Sequence, residues 1–119
     1  MSVLLVEDDP LLRVMNHDLL EDAGFEVDSA EDGELGWQAL RKKHYDLLVT
    51  DYDLPLLNGL QLIGRIRSQG LQLPVILASG SMELGVVADY PELRLSAILK
   101  KPVTIDDLVG TARSAVLVA

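Results

Sequence analysis

The chain has 119 residues, 49% of them hydrophobic and 24% charged, with no cysteine and a net charge of −9. This size and composition predict a single globular domain over residues 1–119 that folds without a metal or disulfide staple, and the missing cysteines exclude disulfide scaffolds, zinc fingers and thiol catalysis. No apolar run reaches the roughly 18 residues of a membrane span, so a cytoplasmic location without membrane association is expected. The charge is lopsided. Residues 1–60 hold 14 acids and 4 bases, whereas residues 61–119 hold 5 acids and 6 bases. A phosphate backbone is repelled by the first half and hardly attracted by the second. The five aromatic residues (Phe25, Trp37, Tyr45, Tyr52, Tyr90) are scattered, so no base-stacking platform is expected and no nucleic-acid partner.

Short apolar runs alternate with helical patterns. Residues 2–6 are apolar on both faces and predict a buried strand. Asp9-Pro10 then reads as an N-cap followed by proline at the first helical position. Leu11, Leu12, Met15, Leu19 and Ala23 continue at helical spacing up to Gly24. Residues 25–30 predict a second strand. Residues 34 to about 43 predict a second helix buried through Leu35, Ala39 and Leu40. Residues 46–50 predict a third strand ending in Asp51, and Asn58-Gly59 opens a third helix carrying Leu62, Ile63 and Ile66, which Gly70 closes. Residues 74–78 predict the fourth strand. Residues 82–88 read as a short helix that Pro91 keeps from continuing. Residues 97–99 predict the fifth strand, and Thr104 caps a last helix with Ile105, Leu108, Val109, Ala112 and Val116 on one face. Five βα units with apolar strands predict a parallel sheet covered on both sides, a (βα)5 doubly wound α/β fold.

In such sheets the ligand site lies outside the carboxyl ends of the strands. The first strand ends in Glu7-Asp8-Asp9, the third in Asp51 with Asp53 two residues on, the fourth in Ser79-Gly80 and the fifth in Lys100-Lys101-Pro102. Asp9 is accounted for as a helix cap, and Lys100 is expected to point outward. Glu7, Asp8 and Asp51 brought together would repel one another and raise each other's pKa values unless a cation intervened. An all-oxygen site with few protein ligands suits Mg²⁺. With a lysine and a serine hydroxyl beside it, Asp51 reads as a carboxylate nucleophile for phosphoryl transfer. His17 and His44 lack metal-ligand spacing, and no phosphate-binding glycine loop occurs.

VEDD at 6–9, TDYDLPLLNG at 50–59, ASG at 78–80 and KKP at 100–102 stand in this order on the βα pattern. Over essentially all of its length the chain resembles the receiver domain of two-component response regulators, the fold shared with the bacterial chemotaxis regulator. The resemblance implies a flavodoxin-like sheet of order 2-1-3-4-5. It implies Asp51 as phospho-acceptor, Asp8 as a direct Mg²⁺ ligand with Glu7 acting largely through water, and Asp53 lending a backbone carbonyl to the metal. It further implies Ser79 as the switch hydroxyl and Lys101 as the phosphate-binding lysine, before a typically cis proline. The implied partner is a histidine kinase or a histidine phosphotransfer protein, followed by an effector domain or a downstream protein. Turnover of external substrate is not implied, beyond autocatalytic phosphotransfer and self-dephosphorylation.

Two positions depart from the family pattern. Ile98 stands where an aromatic residue is common, and residues 81–95 carry Pro91 next to Tyr90. These departures shift the expected movement to residues 80–90. Two other readings compete. Asp51-Tyr52-Asp53 mimics the DxD of haloacid-dehalogenase-like phosphatases, although that motif ends the first strand there. A pure interaction module is the other, against which the full set of acids and Lys101 argues. The chain reads either as a single-domain regulator or as a module of something larger, such as a hybrid kinase.

Overall fold

All five predicted strands form: β1 (Ser2–Val6), β2 (Glu26–Ala30), β3 (Leu47–Asp51), β4 (Val75–Ser79) and β5 (Ala97–Lys100). The structure, a computed structural model, describes residues 1–80 and 91–117. The helices are α1 (Pro10–Asp22), α2 (Gly33–Lys42), α3 (Gly59–Ser68) and α4 (Ile105–Leu117), and a 3-10 turn spans Pro91–Leu93. The short helix expected over 82–88 lies outside the described residues. The strands form one parallel sheet in the order β2-β1-β3-β4-β5. The expected flavodoxin-like sheet is therefore present.

Alternation along the strands builds two cores, one on each face. Leu4 and Val6 of β1, Leu48 of β3 and Val75 and Leu77 of β4 pack with Leu62, Ile63 and Ile66 of α3. Val3 and Leu5, with Leu47, Val49 and Ile76, face the other way toward Leu20 of α1 and Leu108, Ala112 and Ala115 of α4. Because both faces are covered, the central strands need apolar residues at every position. β3 and β4 are buried along their whole length.

Three helix faces differ from the sequence expectation. On α1, Leu11 and Met15 are exposed and Leu20 is the buried residue. The inward stripe runs one position later than the most apolar positions suggest. On α4, Ile105 is exposed, and Leu108, Ala112 and Ala115 form the inner face. On α2, Leu35 is exposed while Gly33, Gly36 and Leu40 are buried. Here the reason is close approach. A Cβ at Gly36 would lie 2.9 Å from Val6 Cγ2, and one at Gly33 would lie 2.7 Å from Leu57 Cβ. Glycines therefore line the contact face, and the helix turns Leu35 outward.

The helix starts are set as expected. Asp9 accepts from the amides of Leu11 (2.9 Å) and Leu12 (3.2 Å), with Pro10 opening α1. Asn58 and Gln61 form a reciprocal capping box on α3, each side chain accepting from the other's amide at 2.9 Å. The Thr104 hydroxyl accepts from the Asp107 amide at 3.1 Å. These caps fix where each loop leaves the sheet, and so where the loop residues at its carboxyl end stand.

Candidate functional site

Every strand but the edge strand β2 delivers one of the anticipated residues to the carboxyl end of the sheet. Glu7 follows directly on β1, its amide donating to the Ala30 carbonyl at 3.0 Å. Asp51 is the last residue of β3, and Ser79 the last of β4. Lys101 follows β5, tied back by its amide to the Ser79 carbonyl at 2.9 Å. The Lys101-Pro102 peptide is cis.

These backbone placements bring the side chains together. Carboxylate oxygens of Glu7, Asp8 and Asp51 all lie within 4.8 Å of one another. The Lys101 ammonium donates to Glu7 Oε1 at 2.8 Å and to Asp51 Oδ2 at 2.8 Å. Glu7 and Asp51 are buried, Ser79 fully so, and Asp8 is exposed. Lys100 points to solvent, as expected. Asp53 is also exposed, and its amide reaches Asp51 Oδ1 at 3.4 Å. Its carboxylate is not one of the three in the acidic group.

Repulsion among the acids, expected unless a cation intervenes, is relieved in part by Lys101. Lys101 lies between two of them, and a shared ammonium offsets much of the cost of burying both. Its own pKa shows the balance. Burial lowers it, but the hydrogen bonds and charges of Asp51 and Glu7 outweigh burial and hold it above the ordinary lysine value. Asp8 is pushed above the ordinary carboxylate value by partial burial first, then by its hydrogen bond to Glu7 and the charge of that group. Lys101 acts on Asp8 only as a smaller opposing influence. Three carboxylates against one ammonium leave two negative charges, which one divalent cation would neutralise. The all-oxygen donor set with an exposed side at Asp8 fits Mg²⁺, which keeps several of its waters.

Three supporting contacts escaped the sequence reading. Arg13 of α1 donates through Nη1 to the Glu7 carbonyl (3.0 Å) and the Asp8 carbonyl (3.4 Å), which holds the acidic loop in place. Thr50 is fully buried, and its hydroxyl donates to the Asp51 carbonyl at 3.0 Å. Gly59 opens α3 directly against the end of β3. A Cβ there would overlap the Asp51 carbonyl oxygen and lie 2.9 Å from Tyr52 Cα. Among these, Gly59 had a visible signal, since Asn58-Gly59 was already read as the helix start.

With this geometry established, similarity to known proteins decides the family. Residues 3–113 match the response regulator receiver domain. The chain belongs to that family. As a receiver domain it is similar to part of the sensor histidine kinase RcsC of Escherichia coli (strain K12), with 34% identity over 111 residues covering 93% of this chain and 12% of RcsC. It also matches the transcriptional regulatory protein DltR of Streptococcus agalactiae, with 31% identity over 113 residues covering 95% of this chain and 50% of DltR. This receiver domain thus spans only a fraction of the length of these curated relatives. Among solved structures it superposes on the receiver domain of the Francisella response regulator 1452 with a TM-score of 0.90 and 25% identity, over 98% of this chain and 96% of that one. The Vibrio cholerae chemotaxis protein CheY4, at 24% identity and a TM-score of 0.87 over 96% of this chain and 97% of that one, shares the fold.

Proposed function

We propose that this receiver domain takes a phosphoryl group from a phosphohistidine of a histidine kinase or phosphotransfer protein onto Asp51, with Mg²⁺ held by Glu7, Asp8 and Asp51, and changes conformation in response. The observation that carries the reading is the Lys101 ammonium shared at 2.8 Å between buried Glu7 and buried Asp51. A cation held against a buried carboxylate can stabilise the charge on an arriving phosphoryl group, on which phosphoryl transfer relies. In the transfer, an Asp51 oxygen forms the new O–P bond, the P–N bond of the donor breaks, and the departing imidazole keeps the electron pair. Lys101 is placed to pair with the arriving phosphoryl oxygens. Bound Mg²⁺ would supply further neutralisation of charge on those oxygens.

Glu7 and Asp8 provide metal-binding carboxylates, and Asp53 is proposed to lend its backbone carbonyl. Ser79, buried at the end of β4, is proposed to follow the phosphoryl group by donating its hydroxyl. The domain works in the cytoplasm on this reading, and no helix among the described residues is long and apolar enough to cross a membrane. An effector domain or separate protein would read the phosphorylated form.

The phosphatase reading fares worse. Its general acid would be Asp53, which is exposed and outside the acidic group. Intact-mass measurement after incubation with acetyl phosphate and Mg²⁺ separates the readings. A single slowly decaying adduct that chelator abolishes supports the receiver chemistry. Multiple turnover of donor supports a phosphatase, and the lack of any adduct an interaction module.

A further inference from the structure

At the opposite end of the sheet, around the amino ends of β4 and β5, two arginines meet with no carboxylate paired to them among the described residues. Arg67, near the end of α3, is partly buried. It donates through Nε to the Leu93 carbonyl (2.8 Å), through Nη1 to the carbonyls of Leu71 (3.0 Å) and Leu73 (2.9 Å), and through Nη2 to the Arg94 carbonyl (3.2 Å). Four of its five N–H donors are thus used on neutral acceptors, and one on Nη2 remains. No carboxylate lies within ion-pair distance of Arg67 or Arg94 among the described residues. The Arg94 side chain donates no hydrogen bond there.

The Arg67 pKa lies below its ordinary value, chiefly through burial and next through the charge of Arg94. In a chain with nearly twice as many acids as bases, two neighbouring arginines without an ion-pair partner among the described residues stand out. Arg94 is also held at φ 52, in the left-handed region that non-glycine residues seldom occupy. Such conformations persist where the surroundings enforce them, and they cluster at ligand clamps. Arg67, Arg94, Gln72 and Ser96 line a cavity of about 170 Å³. That is well below the roughly 300 Å³ at which sites for larger organic ligands begin.

We propose that Arg67, Arg94, Gln72 and Ser96 form a binding site for a small free oxyanion of the phosphate class. Arg94 supplies a whole unused guanidinium fork for two anion oxygens, Arg67 its remaining Nη2 proton, and Ser96 and Gln72 neutral donors at the wall. The bound anion ties the end of α3 to the turn that leads into β5. The site is independent of the chemistry at Asp51 and shares no residue with it.

The test is an NMR titration of the whole chain in chelator, at constant ionic strength, with inorganic phosphate, pyrophosphate, acetate and chloride in separate arms. The readouts are the Arg94 and Ser96 amides and the Arg67 Nε–H. Saturable shifts at these three with phosphate or pyrophosphate are expected, with Lys101 and Asp51 unmoved. Arg94→Gln, which removes no side-chain hydrogen bond among the described residues, should keep the fold and weaken binding by at least about tenfold, since both charge-assisted contacts of the fork are lost. Equal response to acetate or chloride, shifts centred on Lys101, or unchanged affinity in Arg94→Gln would each overturn the proposal.

Discussion

Replacing Lys101 with methionine keeps the bulk of the side chain and deletes the ammonium, which isolates what that charge does. Glu7 is 3% exposed, Asp51 is 5% exposed, and both accept from Lys101 at 2.8 Å. Without the ammonium, two buried carboxylates face each other and Asp8 with no positive partner. Breaking a buried ion pair by removing one partner costs about 3–5 kcal/mol. The Lys101 side chain is 26% exposed, so solvent at the rim reduces the cost to about 2–4 kcal/mol. Urea denaturation in chelator at pH 7 measures it, with an unchanged m-value showing that only stability moved. Asp51→Asn should cost less than Lys101→Met, since Glu7 keeps the ammonium paired. The double variant should be less destabilised than the sum of the single ones by about 1–2 kcal/mol, because one unpaired carboxylate is gone. A Lys101→Met chain within about 0.5 kcal/mol of wild type, or additive losses, would refute the view that this lysine compensates the buried acids.

Mg²⁺ should raise the melting temperature of Lys101→Met more than that of wild type, because the variant site carries one more negative charge and binding stabilises the folded state by mass action; thermal scans with and without chelator check this, and an equal response would contradict it. Gly59→Ala should destabilise by about 1–3 kcal/mol through overpacking against the Asp51 backbone, and should slow adduct formation in the mass assay as well. Tyr45→Phe should cost about 1 kcal/mol, since the buried hydroxyl donates to Asp28 Oδ2 at 2.7 Å and Asp28 is half exposed. That bond also sets a pH window. Asp28 is held below its ordinary value, first by Tyr45 and then by Lys43, and Tyr45 is pushed up to about 12 by burial and then by Asp28. The depressed Asp28 contributes stability above its unfolded pKa near 4 and loses it as pH falls through the folded value. The raised Tyr45 contributes below its unfolded pKa near 10 and loses it toward 12. Stability measured by denaturation across pH should therefore fall less steeply at both ends in Tyr45→Phe than in wild type.

The central strands were legible because a sheet covered on both faces demands largely apolar runs, as at Leu47–Asp51 and Val75–Ser79. The grouping of Glu7, Asp8, Asp51 and Lys101 was legible because the strand order implied by the family resemblance sets the ends of β1, β3 and β5 at the carboxyl end of the sheet. What stayed hidden were contacts between side chains far apart in sequence. Lys101 is 94 residues from Glu7, and nothing local says that its ammonium is shared between two acids. The anchoring of the acidic loop by Arg13 rests on carbonyl acceptors, which every residue carries. Helix faces were misread where hydrophobicity and packing part company, as at Gly33 and Gly36, where absence of a side chain is what allows burial.

Reduction of the phosphorylated chain with borohydride tests the central claim most directly. An acyl phosphate on aspartate is converted to homoserine, whereas a free carboxylate is left intact, so peptide mass mapping reads out the modified residue. The account predicts homoserine at position 51 and at no other acid, formed only in samples phosphorylated with Mg²⁺ present. Homoserine at position 8 or 53, or undiminished labelling of Asp51→Asn, would contradict it.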